Sequence, residues 1–404
     1  MTTHLRSNLF RVLSGIAVLL IVASAAIAQP EGGTVKRITL KSTVLGEDRI
    51  ILVRTPAGYE TNKLSYPVLY MTDGDAHMGH TASTIEFLTR NGRMPELIVV
   101  GVTNTDRTRD LTPAKSTNKN AEGVLQLPTA GGANNFLKFF ETELIPHIEK
   151  EYRVAPYRIL AGHSFGGLFA IHALITKPAL FNSYVAVSPS LQWADAEALK
   201  RAEEFLKNQK ELKVTLYTSI GNEPGPIGES FDKFKQALSQ TNIKGFEWQA
   251  ERLDDEDHGS VVLRSHYFGL RKVYAGWQGP QDLQSGLKGV DEHYKKLSER
   301  FGYSIPVPEN LINQMGYQLL GQNKPEEAIA VFKANVERYP GSANVYDSLA
   351  EAYERGGRND LAEPLYDKAR VLGEQNNDPN AGIYKANYER VHAKLKDKET
   401  TKKQ

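Results

Sequence analysis

A serine stands between glycines at two-residue spacing, Gly162-His163-Ser164-Phe165-Gly166, with another glycine at 167. A short apolar strand pattern (Arg158 to Ala161) runs into it, and a run of small and apolar residues (Leu168 to Ala173) leaves it. A serine at a sharp strand-to-helix turn is held in a strained backbone conformation with its hydroxyl in the open. Residues two before and two after are pressed against neighbouring backbone, where a Cβ is hard to fit. The following helix turns its unpaired N–H groups and positive dipole end toward the reacting centre. The chemistry this predicts is nucleophilic catalysis by Ser164. The competing reading is a structural Gly-rich turn, and the flanking strand, helix and Gly167 weigh against it.

A serine hydroxyl is a poor nucleophile without a base in reach. In a strand–turn–helix elbow the chain order is nucleophile, acid, histidine. Of ten histidines, His4 lies in the N-terminal segment, and His77, His80 and His147 also precede the serine. His163 is next to it in the elbow, so its side chain diverges, and His172 lies on the helix behind. His258, in a polar loop after a strand and beside Gly259, is the expected base, with His266 on the closing helix as its alternative. Glu223, directly after a strand, is the expected acid, and Glu229 and Asp232 compete. The backbone N–H of Phe165 is one expected oxyanion donor. Asp75, behind Gly74, supplies the other. His77-x-x-His80 beside Asp73 and Asp75 has weak metal-ligand spacing, so no metal and no cofactor is expected.

The rest of the chain must position these groups. Val35 to Leu45 and Arg49 to Thr55 read as a hairpin about Gly46-Glu47-Asp48. Pro67 to Met71 and Leu97 to Val102 read as strands buried on both faces. A helix is predicted over 84–93, a polar loop over 104–132, and a long amphipathic helix over 134–152. Strands follow at 184–187, 214–220 and 246–253. Helices follow at 194–208, 230–240 and 261–277. The alternation predicts an α/β fold: a mostly parallel sheet covered by helices on both faces, with function at the carboxyl ends of the strands.

Beyond about 308 the pattern changes. A shift of 34 maps Ile312 onto Tyr346, Met315 onto Leu349, Ala328 onto Ala362 and Phe332 onto Tyr366. This period resembles tetratricopeptide repeats, two of them at 309–342 and 343–376, with a capping helix over 381–395. A small all-α C-terminal domain over 309–395 follows, with 396–404 as a disordered tail. Two repeats are few for independent stability, so packing on the larger domain, on a protein partner or on a second copy is expected.

The chain has 404 residues, a net charge of +1, 40% hydrophobic residues and no cysteine. Balanced charge argues against nucleic acid. Lack of cysteine removes disulfides, thiolate metal sites, thiol catalysis and a lipoprotein anchor. His4, Arg6 and Arg11 precede an apolar run from Val12 to Ile27 that ends Ala26-Ile27-Ala28. This reads as a cleaved secretory signal over 1–28, leaving an exported, periplasmic or secreted chain with no membrane span and its main domain over 29–290.

Five segments together resemble the putative-esterase family of α/β hydrolases, which includes esterase D, feruloyl esterases, mycolyltransferases and siderophore trilactone esterases. They are Tyr70-Met71-Thr72-Asp73-Gly74-Asp75, Arg107 to Pro113, Gly162 to Gly167, Ser188-Pro189-Ser190-Leu191-Gln192-Trp193, and Glu256-Asp257-His258-Gly259-Ser260. The resemblance spans about 35–277 and is strongest, in motif style, to the siderophore esterases. It implies Ser164 as nucleophile, His258 as base, Asp75 and Phe165 as oxyanion donors, and Arg109 and Trp193 lining the substrate cleft. Members often carry a second aromatic where Gln192 stands, and the repeat extension is foreign to the simple siderophore esterases. The expected function is an exported serine carboxylic-ester hydrolase acting through an acyl-enzyme on a small-molecule ester of the siderophore-lactone or another bulky type. The alternatives are acyl transfer of the mycolyltransferase type and a non-catalytic interaction module on a hydrolase scaffold.

Overall fold

The computed structural model describes residues 33–60, 62–116, 126–279 and 285–402, with side chains as far as residue 397. The expected signal segment lies outside them. An eight-stranded sheet forms the centre, in the order β1-β2-β4-β3-β5-β6-β7-β8. β1 (Val35–Ser42) and β2 (Glu47–Arg54) form the expected hairpin, and β2 is also antiparallel to β4 (Ile98–Val102). The remaining neighbours are parallel: β3 (Tyr66–Met71), β5 (Val154–His163), β6 (Ser183–Val187), β7 (Glu211–Ile220) and β8 (Lys244–Arg252). β3, β4 and β6 are buried along their whole length, as unbroken apolar runs require when both faces are covered.

Alternate residues of the strands feed two cores. Tyr70, Leu160 and Leu216 pack with Phe136, Phe140 and Phe169 on one face. Leu69, Ile159 and Tyr217 pack with Met78, Ile85 and Leu270 on the other. The first face is covered by α3 (Ala133–Phe139), α4 (Ile145–Glu151), α5 (Phe165–Thr176) and α6 (Trp193–Asn208). The second is covered by α1 (Gly74–Arg90) and α8 (Val261–Val273). Two further helices, α2 (Arg107–Leu111) and α7 (Pro226–Ser239), begin in loops at the carboxyl ends of strands.

Several elements depart from expectation. α1 begins at Gly74, ten residues before the predicted start, because Met78, Thr81, Ile85 and Leu88 continue one buried face through a polar-looking stretch. The long helix over 134–152 is continuous but passes through a π-turn at Phe140–Leu144. Pro146 lacks the N–H that regular α-helix would use just there, and the wider turn absorbs the break.

An unpredicted helix, α9 (Gly286–Phe301), spans the expected domain end at 290. Its Val290, Tyr294, Leu297 and Phe301 are buried in the same core as the sheet. Phe301 meets Tyr274 at 5.2 Å and Tyr157 at 5.0 Å between ring centroids. Through it the core reaches Ile312 and Met315 of α10 (Glu309–Gly321). α10 and α11 (Pro325–Arg338), then α12 (Ala343–Arg355) and α13 (Asn359–Gln375), are two helix pairs whose starts are offset by the expected period. α14 (Ala381–Lys402) packs on α13. It runs through most of the segment expected to be a disordered tail. The charged run from Lys394 contains no Gly or Pro to stop it.

Candidate active site

Ser164 sits between β5 and α5 with φ 61° and ψ −115°, a conformation a non-glycine residue adopts only when its surroundings impose it. Its N–H donates to the Val187 carbonyl at 2.9 Å, and its own carbonyl accepts from Leu168 N at 2.9 Å. A Cβ on Gly162 would lie 2.2 Å from the Gly166 carbonyl oxygen. The turn therefore closes only with glycine at that position.

Three strand ends converge on this serine. The Ser164 hydroxyl donates to His258 Nε2 at 3.0 Å, and His258 Nδ1 donates to Glu223 Oε2 at 2.5 Å. The carboxylate accepts only, so it fixes the proton on Nδ1 and leaves a lone pair on Nε2 facing the serine. Glu223 follows β7 and is buried, whereas the His258 side chain, in the loop after β8, is 43% exposed. Burial pushes the Glu223 carboxyl up, but hydrogen bonds from His258, from Ser188 Oγ at 2.6 Å and from Gly221 N at 3.2 Å outweigh it and hold it below the usual carboxylate range. Ser188, directly after β6, figures in the sequence only as part of a motif. The other carboxylates considered lie elsewhere: Asp232 pairs with Arg252 at 2.8 Å, and Glu229 is exposed.

Phe165 is the first residue of α5 and Asp75 the second of α1. N–H groups in the first turn of a helix have no intrahelical acceptor. The two helices start from adjacent parallel strands, β5 and β3. Gly74 allows α1 to start hard against β4: a Cβ there would lie 2.6 Å from the Gly101 carbonyl carbon.

Trp193 borders the same pocket. Its ring meets Phe165 edge-on at 5.1 Å, and its Nε1 donates to the Ala114 carbonyl at 2.9 Å. The pocket, ≈ 430 Å³, is closed by Ser190, Gln192 and Ile227. Ala194 and Asp195, along its edge, and the next residue, Ala196, all take positive φ.

Arg109, expected to line the cleft, is held in ion pairs. Its guanidinium is spent on Glu47 at 2.6 Å and on Asp110 at 2.7 Å, in a network with the buried Arg49. The guanidinium that reaches the serine turn belongs to Arg107. It donates to Asp73 Oδ1 at 2.6 Å and to the His163 carbonyl at 3.2 Å, and lies 5.6 Å from the Phe165 ring centroid. Both arginines belong to the same short helix, and only the fold shows which one faces Ser164.

His77, His80, His163 and His266 form a cluster behind the serine, with neighbouring ring centroids 5.2 to 6.0 Å apart. Among the described residues no group of three or more His, Asp or Glu side chains is arranged to hold a metal ion. Burial lowers the pKa of all four, His163 to about 4, and neighbouring imidazoles lower those of His80, His163 and His266 further, while at His77 Asp73 and Asp75 work against burial. Burial, with the nearby Arg201 charge adding to it, brings His172 to about 4 as well. The unfolded chain takes up these protons near 6.5, whereas the folded chain resists until much lower pH. Stability is thus full above about 6.5 and is lost as pH falls toward 4. Thermal unfolding is expected to show Tm falling by on the order of 10 °C between pH 7 and pH 4.5. A flat Tm across that window would contradict the buried neutral histidines.

The family model described as "Putative esterase" matches residues 42–262. The chain is 32% identical over 171 residues to the ferri-bacillibactin esterase BesA of Bacillus subtilis, a match covering 37% of this chain and 58% of that protein. It is 31% identical over 236 residues to the siderophore enterobactin esterase of Emericella nidulans, covering 48% of this chain and 77% of that protein. Among solved structures it is similar to an IroE-like serine hydrolase from Shewanella oneidensis, at 30% identity and a TM-score of 0.64. That match covers 76% of this chain and all of the other.

Proposed function

The chain belongs to the putative-esterase family, a family of carboxylic-ester hydrolases, and on that premise we propose that it opens siderophore-type esters through an acyl-enzyme on Ser164. The observation that carries the reading is the unbroken row from Ser164 Oγ through His258 to Glu223 at the carboxyl ends of β5, β8 and β7.

Ser164 Oγ attacks the ester carbonyl carbon while His258 Nε2 takes its proton. Glu223 holds the ring and stabilises the imidazolium that forms. The N–H groups of Phe165 and Asp75 receive the developing oxyanion. His258 passes the proton to the leaving alkoxide. A water molecule, deprotonated by the same nitrogen, then attacks the acyl-serine and releases the acid. The siderophore class is supported by the relatives' substrates and by the aromatic wall of Phe165 and Trp193, which suits aryl-bearing acyl groups.

Export is part of the proposal and rests on the N-terminal pattern; cell fractionation that finds the chain only in the cytoplasm would sink it. The helices from α10 onward are assigned to a protein partner or a second copy. They join the sheet through α9 beside Tyr157, six residues and thus about 20 Å of strand before the serine turn. Light scattering and affinity capture on the full chain test this; a strict monomer that captures nothing overturns it.

The direct test of the chemistry uses a fluorophosphonate probe on the full chain. One adduct on Ser164 is expected, with kcat/KM for a cyclic catecholate triester at least about tenfold above that for a feruloyl methyl ester. Failure of Ser164 to label overturns the mechanism. Preference for the feruloyl ester overturns the substrate class alone.

A further inference from the structure

We propose that His163, beside the nucleophile, is a positioning residue that holds the backbone carbonyl of His258 and thereby sets how the base stands over Ser164. The inference rests on the reading of Ser164 as nucleophile and His258 as base.

His163 Nε2 lies 2.7 Å from the His258 carbonyl oxygen, and the two rings are 4.7 Å apart. A carbonyl can only accept, so His163 carries its proton on Nε2 and donates it. His258 needs such a hold because it stands in a loop with its side chain partly in solvent. The loop's other bonds secure residues around it. Asn222 N donates to the Glu256 carbonyl at 2.7 Å, and Asp257 Oδ1 accepts from Gly259 and Ser260 N–H groups at 2.9 and 2.8 Å. The bond to the His258 carbonyl itself comes from the elbow.

His163 is a rigid reference point. It is the last residue of β5, paired with Val187 of β6, and its own carbonyl accepts from Arg107. Its ring is backed by His77 at 5.7 Å. The nucleophile and the base are therefore registered to one strand end, the first by covalent sequence and the second by this hydrogen bond. A misplacement of about 1 Å in a reacting group can cost on the order of 100-fold in rate, which is the scale of effect a lost hold would produce. The neutral state of His163 suits the task, since it keeps a second positive charge away from the imidazolium that forms on His258.

The test compares His163→Leu with His163→Gln in the full chain. Glutamine Nε2 reaches where the imidazole Nε2 stands and can donate to the same carbonyl; leucine fills the space without a donor. In His163→Leu, kcat for a chromogenic ester and the rate of fluorophosphonate labelling are expected to fall together by roughly 30- to 100-fold, with KM within about twofold. In His163→Gln both are expected to recover to within about fivefold of the parent. A His163→Leu enzyme within about threefold of the parent kcat overturns the proposal, as does a folded His163→Gln enzyme as slow as His163→Leu. If circular dichroism shows His163→Leu unfolded, His163→Asn replaces it. Its shorter amide falls short of the carbonyl, and a kcat equal to that of His163→Gln overturns the proposal. Ser164→Ala runs in parallel. Retained activity there overturns the nucleophile itself, whereas an inactive Ser164→Ala beside a fully active His163→Leu overturns only the hold.

Discussion

Ser164→Ala is expected to lower kcat for a chromogenic ester by about 10⁴-fold or more and to abolish fluorophosphonate labelling, with Tm changed by no more than about 2 °C. The hydroxyl lost is the one that His258 Nε2 meets at 3.0 Å. Alanine occupies the same volume at the turn, so the glycine contacts around it persist and the fold has no reason to yield. One neighbour could complicate the outcome. Ser190 Oγ lies 3.4 Å from Ser164 Oγ and borders the same pocket. It is one position removed from the base, however, and its backbone follows β6 rather than the strained elbow. Ser190→Ala is therefore expected to cost no more than a few-fold in kcat. If Ser164→Ala keeps more than a tenth of the parent rate, and the double variant loses it, Ser190 is the nucleophile and the mechanism must be redrawn around it.

That the sequence singles out three groups which meet in the fold has a physical basis. A nucleophile on a tight turn demands glycines, and a parallel sheet brings strand ends together, so residues just after strands are the ones that can meet. Ser164, Glu223 and His258 are all of that kind, and the structure sets them in contact. Choosing among Glu223, Glu229 and Asp232 was beyond the sequence, because it turns on which carboxylate the loop after β7 buries. The arginines show the same limit. Arg107 and Arg109 share one short helix, and Arg109 is captured by Glu47, a residue 62 positions away whose place beside it depends on the hairpin's packing. α9 is a different case. Val290, Tyr294, Leu297 and Phe301 recur at helical spacing, a signal that was available but sat in a charged stretch between two clearer patterns. The start of α1 is hidden because His77 and His80 interrupt the apolar pattern, whereas the fold packs them against each other and His266 in a half-buried cluster.

Glu223→Gln is expected to lower kcat by roughly 10³- to 10⁴-fold although it changes little in size, because it reverses the tautomer of the base. Glu223 Oε1 accepts from Ser188 Oγ and from Gly221 N–H, both of which donate there. An amide at this position keeps its oxygen toward those two donors, which turns its NH₂ toward His258 Nδ1. An NH₂ group offers only protons, so Nδ1 must become the acceptor, and the ring proton moves to Nε2. Nε2 then presents a proton to Ser164 instead of a lone pair and cannot take the hydroxyl proton. Binding has no part in this, so KM is expected to stay within about threefold, and the loss falls on kcat. Glu229→Gln and Asp232→Asn provide the contrast. One side chain is exposed and the other is paired with Arg252, and each variant is expected to remain within about twofold of the parent. A Glu223→Gln enzyme with more than a tenth of the parent kcat would mean that Ser164 and His258 work as a pair, with the carboxylate serving only to hold Ser188 and the loop after β7.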